Sequence, residues 1–209
     1  MGMWPEKCVF EVPSGSTIKE TDYGVEVHHV EGRMTFIPTD QDCLDHLEMY
    51  NEYRNQSRRS VEQFKDGWLD NVGFTPPAQI VHFSGNYNVP PAPKNSGQTL
   101  FYFIGIESFT PLTILQPVLT FESGAWSIRS WNCCPKGQVH NSGPLSLSAG
   151  DSIYGEIRKD PAGTYTVVST HAGKSVDLTI KPLGTYTWAD VTLEVYTISE
   201  CDDFSSGAV

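Results

Sequence analysis

The chain is 209 residues long, with 14 basic and 25 acidic side chains, a net charge of −11 and a pI near 4.8. So acidic a chain lacks the Lys/Arg clusters that counterion-driven binding to phosphate backbones requires, which excludes nucleic acid as a main partner. No stretch approaches the ~20 consecutive apolar residues of a membrane-spanning helix, and 39% apolar with 19% charged residues describes a chain that folds.

The length suits one large domain, or one domain plus an extension, and the pattern changes near residue 75. Before it, Cys8 to Val12, Val25 to Val30 and Met34 to Ile37 read as short strands punctuated by Gly15, Gly24 and Gly32. A helix follows, with Thr39 as its cap and Asp40 and Asp42 suited to its positive end. Leu44, Leu47 and Tyr50, then Val61, Phe64 and Trp68, recur at helical spacing. Gly67 and Gly73 mark the end of this part, and Pro76-Pro77 closes it. Residues 1–75 are thus an extension of short strands and helix, and 76–209 form a mainly β domain. Its predicted strands are Ile80 to Val89, Thr99 to Glu107, Thr113 to Phe121, Ala125 to Asn132, Gly143 to Leu147, Ser152 to Arg158, Thr164 to Thr170, Ser175 to Ile180 and Ala189 to Thr197. So many strands separated by Gly, Pro, Ser and Asn read as an antiparallel sandwich or barrel.

The start, Met1 to Glu6, has neither the basic n-region nor the apolar h-region of a signal peptide, so the chain as written reads as cytosolic. Removal of a leader before this start would make it a secreted protein instead. The five cysteines, Cys8, Cys43, Cys133, Cys134 and Cys201, are odd in number and scattered, which reads as reduced thiols rather than a disulfide framework, with a vicinal Cys133-Cys134 bridge as the less favoured alternative. No CxxC pair occurs, the six histidines are dispersed, and Asp40-Gln41-Asp42 lacks the glycine and distal glutamate of a calcium loop. No metal or cofactor is expected.

Chemistry concentrates in a series of blocks. Tyr87-Asn88-Val89-Pro90 ends a strand, and Leu100 to Glu107 contains Ile104-Gly105-Ile106-Glu107. Then come Ile114-Leu115-Gln116-Pro117-Val118-Leu119 and the tryptophan-rich Ala125 to Trp131. Gly150-Asp151-Ser152-Ile153 opens a later strand, and the last block is Trp188-Ala189-Asp190-Val191-Thr192-Leu193-Glu194. In this order and spacing, residues 80–200 resemble the glutamic endopeptidases of fungi, the eqolisin family. The resemblance implies a jelly-roll sandwich of the concanavalin A type, with a curved inner sheet that carries the site. The first 75 residues have no counterpart in the family's mature domain.

The family cleaves peptides in acid with a glutamine and a glutamate on the sheet: the carboxyl group activates water and protonates the leaving amine, and the amide helps hold the oxyanion. The resemblance places the glutamine at Gln116 and puts Asp190 where the family has its glutamate, with Glu194 a second carboxylate on the same strand face. Asp190 is one methylene shorter than the family's acid, and a carboxylate near neutral pH stays ionised unless burial raises its pKa. The shortened acid therefore favours a lectin-like binding protein without catalysis. It would take a glycan or another extended ligand on the concave face through Gln116, Trp126, Trp131, Glu156, Trp188 and Glu194, with sugar rings on the aromatics and hydroxyls on the amides and acids. An acid peptidase using Gln116 with Asp190 or Glu194 is the alternative. A pseudo-enzyme that binds protein, with residues 1–75 as contact surface or as a cover over the groove, is a third.

Overall fold

The computed structural model of the protein describes residues 4–57 and 66–206, and the side chains of all of these except 53–57. In chain order the strands are β1 (Val9–Val12), β2 (Thr17–Thr21), β3 (Gly24–His28) and β4 (Met34–Pro38), followed by helix α1 (Gln41–Ser57). Then come β5 (Gly67–Phe74), β6 (His82–Asn88), β7 (Thr99–Phe109), β8 (Leu112–Glu122), β9 (Ala125–Cys133), β10 (Val139–Ser142) and β11 (Leu145–Leu147). The last four are β12 (Ser152–Lys159), β13 (Tyr165–His171), β14 (Lys174–Lys181) and β15 (Trp188–Tyr196). The first sheet runs β1-β10-β9-β8-β7-β15-β5, with β11 also on β9, and the second runs β4-β3-β2-β14-β13-β12-β6. The expected mainly β sandwich is what forms.

Strand alternation builds the core between the sheets. Ile106, Leu115 and Ala189 of the first sheet meet Ile18, Ile157, Val167, Leu178 and Ile180 of the second. At the other end Leu100, Leu119, Phe121, Trp126, Ile128 and Val195 pack on Ile153. Burying each of the larger aliphatic and phenylalanine side chains contributes about 1.5–3 kcal/mol. The residues between them in sequence point to the opposite face of the first sheet. There a third cluster forms from Phe103, Ile114, Val118, Cys133 and Val139, with Phe101, Trp131 and Trp188 packed on it. Tyr50 and Leu47 of α1, Trp68 of β5 and Trp4 close over this cluster from outside.

The segment before residue 75 is woven into both sheets. β1 runs parallel to β10, β2 runs parallel to β14, and β5 pairs with β15. Several local expectations are corrected. The cap of α1 is Asp40, whose carboxylate accepts the Asp42 and Cys43 amides at 2.9 and 3.3 Å, and not Thr39. Trp68, placed on a helix by its spacing from Val61 and Phe64, lies in β5; Val61 and Phe64 fall outside the described residues. The cysteines are not all thiols: Cys8 is bonded to Cys43 and Cys133 to Cys134, and Cys201 is free and exposed. The first bridge joins the strip before β1 to the first turn of α1, a proximity that sequence spacing does not reveal.

Candidate functional site

The outward face of the first sheet is organised in rows across its strands. In β15 the outward residues are Asp190, Thr192, Glu194 and Tyr196, joined two by two: the Thr192 hydroxyl donates to Asp190, and the Tyr196 hydroxyl donates to Glu194 at 2.5 Å. Asp190 pairs with Gly73 of β5 on one side and with Gly105 of β7 on the other. Phe103 stands opposite Val118 and Ile106 opposite Leu115, a register that places Gly105 opposite Gln116 of β8. Gln116 pairs with Trp131 of β9, and Trp131 with Asn141 of β10. One row therefore reads Gly73, Asp190, Gly105, Gln116, Trp131, Asn141.

The two glycines make room for what flanks them. A Cβ on Gly105 would sit 2.5 Å from Oδ1 of Asp190, so the carboxyl group leans across Gly105, the residue that separates it from Gln116. A Cβ on Gly73 would collide with the Trp188 ring. Both candidate site residues are buried, Asp190 at 1% and Gln116 at 5% exposure.

Beside this row lies a cavity of about 230 Å³. Its floor is Gln116, Val118, Thr120, Arg129, Trp131 and Asn141, with Phe101, Glu194 and Tyr196 at one side. Its roof is Trp4, Glu6 and Tyr50, with Val9 of β1 at the edge of the sheet. Trp4 packs against His46 and Tyr50 of α1, with ring centroids 4.7 and 5.7 Å apart, and the Cys8–Cys43 bridge fastens the strip to the helix. Burial, then the neighbouring Glu194 charge, pushes the Tyr196 hydroxyl well above its usual pKa, so it stays a donor to Glu194.

The sequence-derived residues divide sharply. Gln116, Trp131 and Glu194 line the cavity. Asp190 does not line it but shares the row of Gln116. Glu194 stands four residues further along β15, about 13 Å at strand rise, whereas Asp190 is displaced from Gln116 only by two strand spacings, about 10 Å between Cα atoms. Trp188 is on the groove face at the end of the cluster, half-buried and stacked on Trp68. Trp126 is turned the other way, into the core between the sheets, and cannot serve as a groove platform. Glu156 lies on the second sheet, 3.1 Å from His82 and 2.8 Å from Arg158, away from the groove. Sequence reading missed Arg129, Thr120 and Asn141. The first two share the outward parity of Trp131 and Gln116, a signal that was available, whereas Asn141 is on a strand that was not predicted. Among the described residues no three His, Cys, Asp or Glu side chains are grouped to hold a metal ion.

The fold is similar to that of a solved glutamic peptidase. Scytalido-glutamic peptidase with a peptide-based transition-state analogue superimposes with a TM-score of 0.52 at 18% identity, over 70% of this chain and 71% of that one. The same peptidase with a transition-state analogue inhibitor gives 0.51 at 17%, over 69% and 71%. SCP-B of the eqolisin family, in complex with the tripeptide Ala-Ile-His, gives 0.48 at 19%, over 66% and 67%. No family model matches the sequence, and no curated protein matches it. The resemblance read from the strand blocks is thus borne out in three dimensions.

Proposed function

We propose that the protein is an acid-acting peptidase of the glutamic type, in which Gln116 and Asp190 form the working pair. The observation that carries this reading is the row Asp190, Gly105, Gln116 on the outward face of a peptidase fold. In acid the Asp190 carboxylate takes a proton from water as the oxygen attacks the peptide carbonyl, the Gln116 amide donates to the developing oxyanion, and the carboxyl group returns the proton to the leaving amine. The strip bearing Trp4 and Glu6 covers the Gln116 side of this face, so an extended peptide needs it to move aside. The Cys8–Cys43 bridge supports an oxidising compartment for the protein, where an acidic working pH is attainable.

A second reading, lectin-like recognition without catalysis, has its own support in the aromatic and amide lining of the cavity around Trp131, Gln116 and Asn141. The pseudo-enzyme reading draws on the roof formed by Trp4 and Tyr50. One experiment separates catalysis from both. Incubation with a mixed peptide library between about pH 2 and 5 should yield cleavage that disappears in Gln116→Ala, and no cleavage anywhere in that range would remove the peptidase reading.

A further inference from the structure

The cavity carries more chemistry than the proposed reaction uses. Five of its side chains present buried polar atoms that have no partner among the described residues: Oε1 of Gln116, Oγ1 of Thr120, Nε of Arg129, Nε1 of Trp131 and Oδ1 of Asn141. Gln116, Thr120 and Asn141 are 5%, 2% and 2% exposed. Each unsatisfied buried polar atom is costly, and folded proteins leave few of them. Five around one cavity, contributed by three adjacent strands, constitute a set built for a polar occupant.

We propose that the cavity binds a single hydroxyl-bearing ring, the chemistry of one monosaccharide unit. The inference does not depend on peptide hydrolysis, and it narrows the recognition reading from an extended glycan to one ring. The unpartnered atoms are mixed in kind: Arg129 and Trp131 offer N–H donors, Gln116 and Asn141 offer carbonyl acceptors, and Thr120 can do either. A hydroxyl group both donates and accepts, so a ring carrying several satisfies such a mixture. The walls are aromatic, with Trp4, Tyr50, Phe101 and Trp131 able to cover the C–H faces of a ring. The buried carboxylate of the cavity, Glu194, is already engaged by Tyr196, so no buried counter-charge awaits a cationic ligand, whereas the Arg129 guanidinium can take an acidic substituent on the ring. Size points the same way. A volume of about 230 Å³ is several times the ≈ 30 Å³ share of one water, yet falls below the ≈ 300–1,000 Å³ of pockets that take drug-sized ligands. With the roof in place an extended chain does not fit.

The test is titration of the full-length protein with glucose, galactose, mannose and N-acetylglucosamine, and in parallel with an N-acetyl dipeptide amide, followed by tryptophan fluorescence and calorimetry. Saturable binding of at least one sugar is expected. Thr120→Val and Asn141→Ala, on different strands, should each weaken it at least about tenfold, and Trp131→Leu should abolish the fluorescence response. Each variant is checked for an unchanged near-ultraviolet circular dichroism spectrum, and the two strand positions keep the test alive if one variant misfolds. Absence of saturation with all four sugars overturns the proposal, as does tighter binding of the dipeptide amide through the same side chains. Sugar binding without peptide cleavage would remove only the peptidase reading. Cleavage without sugar binding would remove only this one.

Discussion

Asp190 and Gln116 occupy the same row of the first sheet, two strands apart, with Gly105 as the only residue between them. In the proposed reaction that relationship favours Asp190 over Glu194, the other carboxylate of β15. Glu194 shares the strand face and lines the cavity, but it stands opposite Phe101 rather than Gly105. A phenylalanine side chain therefore occupies the position over which a carboxylate would have to lean. Only at Asp190 does the neighbouring strand leave that space open.

Asp190→Asn should accordingly lower kcat of peptide cleavage by about 10²–10⁴-fold, the usual contribution of a general acid–base group. Glu194→Gln keeps the Tyr196 hydrogen-bond geometry and should change kcat less than tenfold. Steady-state kinetics at about pH 3 to 4 on both variants measures the difference. A larger loss in Glu194→Gln than in Asp190→Asn would reverse the assignment.

Gly105→Ala probes the same relationship through the backbone. The added methyl group would sit 2.5 Å from Oδ1 of Asp190 and 3.4 Å from Ile114, so the carboxyl group has to turn away. Misplacement of a reacting group by about 1 Å costs on the order of 10²-fold in rate, and overpacking a filled site costs about 1–3 kcal/mol of stability. Cleavage should fall about 100-fold while the protein stays folded, as read by activity and by the unfolding midpoint together. Unchanged activity would separate Asp190 from the chemistry.

The strands from β6 to β15 were largely legible because alternation and turn residues agree there, and most predicted ranges differ from the observed ones by a residue or two at each end. β10 was not, because Val139, His140, Asn141 and Ser142 are buried on both faces and show no alternation. β5 was masked by the helical spacing that Trp68 shares with Val61 and Phe64. For the site, type and parity carried unequal weight. Gln116, Asp190 and Glu194 lie on the outward face of the first sheet. Trp126 and Trp131, five residues apart on one strand, necessarily face opposite sides, so only Trp131 could reach the groove. The roof was invisible because it depends on Cys8 meeting Cys43 and on Trp4 meeting Tyr50, contacts that no local pattern encodes.

That roof can be loosened. The Cys8–Cys43 bridge closes a separation of 35 residues, which in the chain-entropy model corresponds to about 4 kcal/mol of stabilisation. Deleting residues 1–75 would remove five strands of the two sheets, so the gentler double variant Cys8→Ser/Cys43→Ser is the appropriate probe. It should lower stability by about 2–4 kcal/mol and raise kcat/KM for extended peptides several-fold by freeing the strip that carries Trp4. Urea unfolding and peptide kinetics report the two effects separately. Lower kcat/KM in a folded double variant would mark the roof as part of the binding surface.

Stability should pass through a maximum in mildly acidic solution, for two opposed reasons. Burial raises the Glu20 carboxyl from 4.5 to about 7, although its Oε2 accepts the Leu183 amide at 3.0 Å. The folded state holds that proton more tightly than the unfolded chain, so stability is full below about 4.5 and falls as pH rises towards about 7, by about 3 kcal/mol. Burial lowers His140 from 6.5 to about 3, with Gln138 3.2 Å from Nε2 and Phe10 stacked on the ring. Here the unfolded chain binds the proton more readily, so stability is full above about 6.5 and falls as pH drops towards about 3, by several kcal/mol. Chemical unfolding from pH 3 to 8 should therefore peak between about 4.5 and 6.5. Glu20→Gln should flatten the alkaline limb and His140→Gln the acid limb. A peak at pH 8 in the unmodified protein, or limbs that survive both substitutions, would show that other groups govern the response.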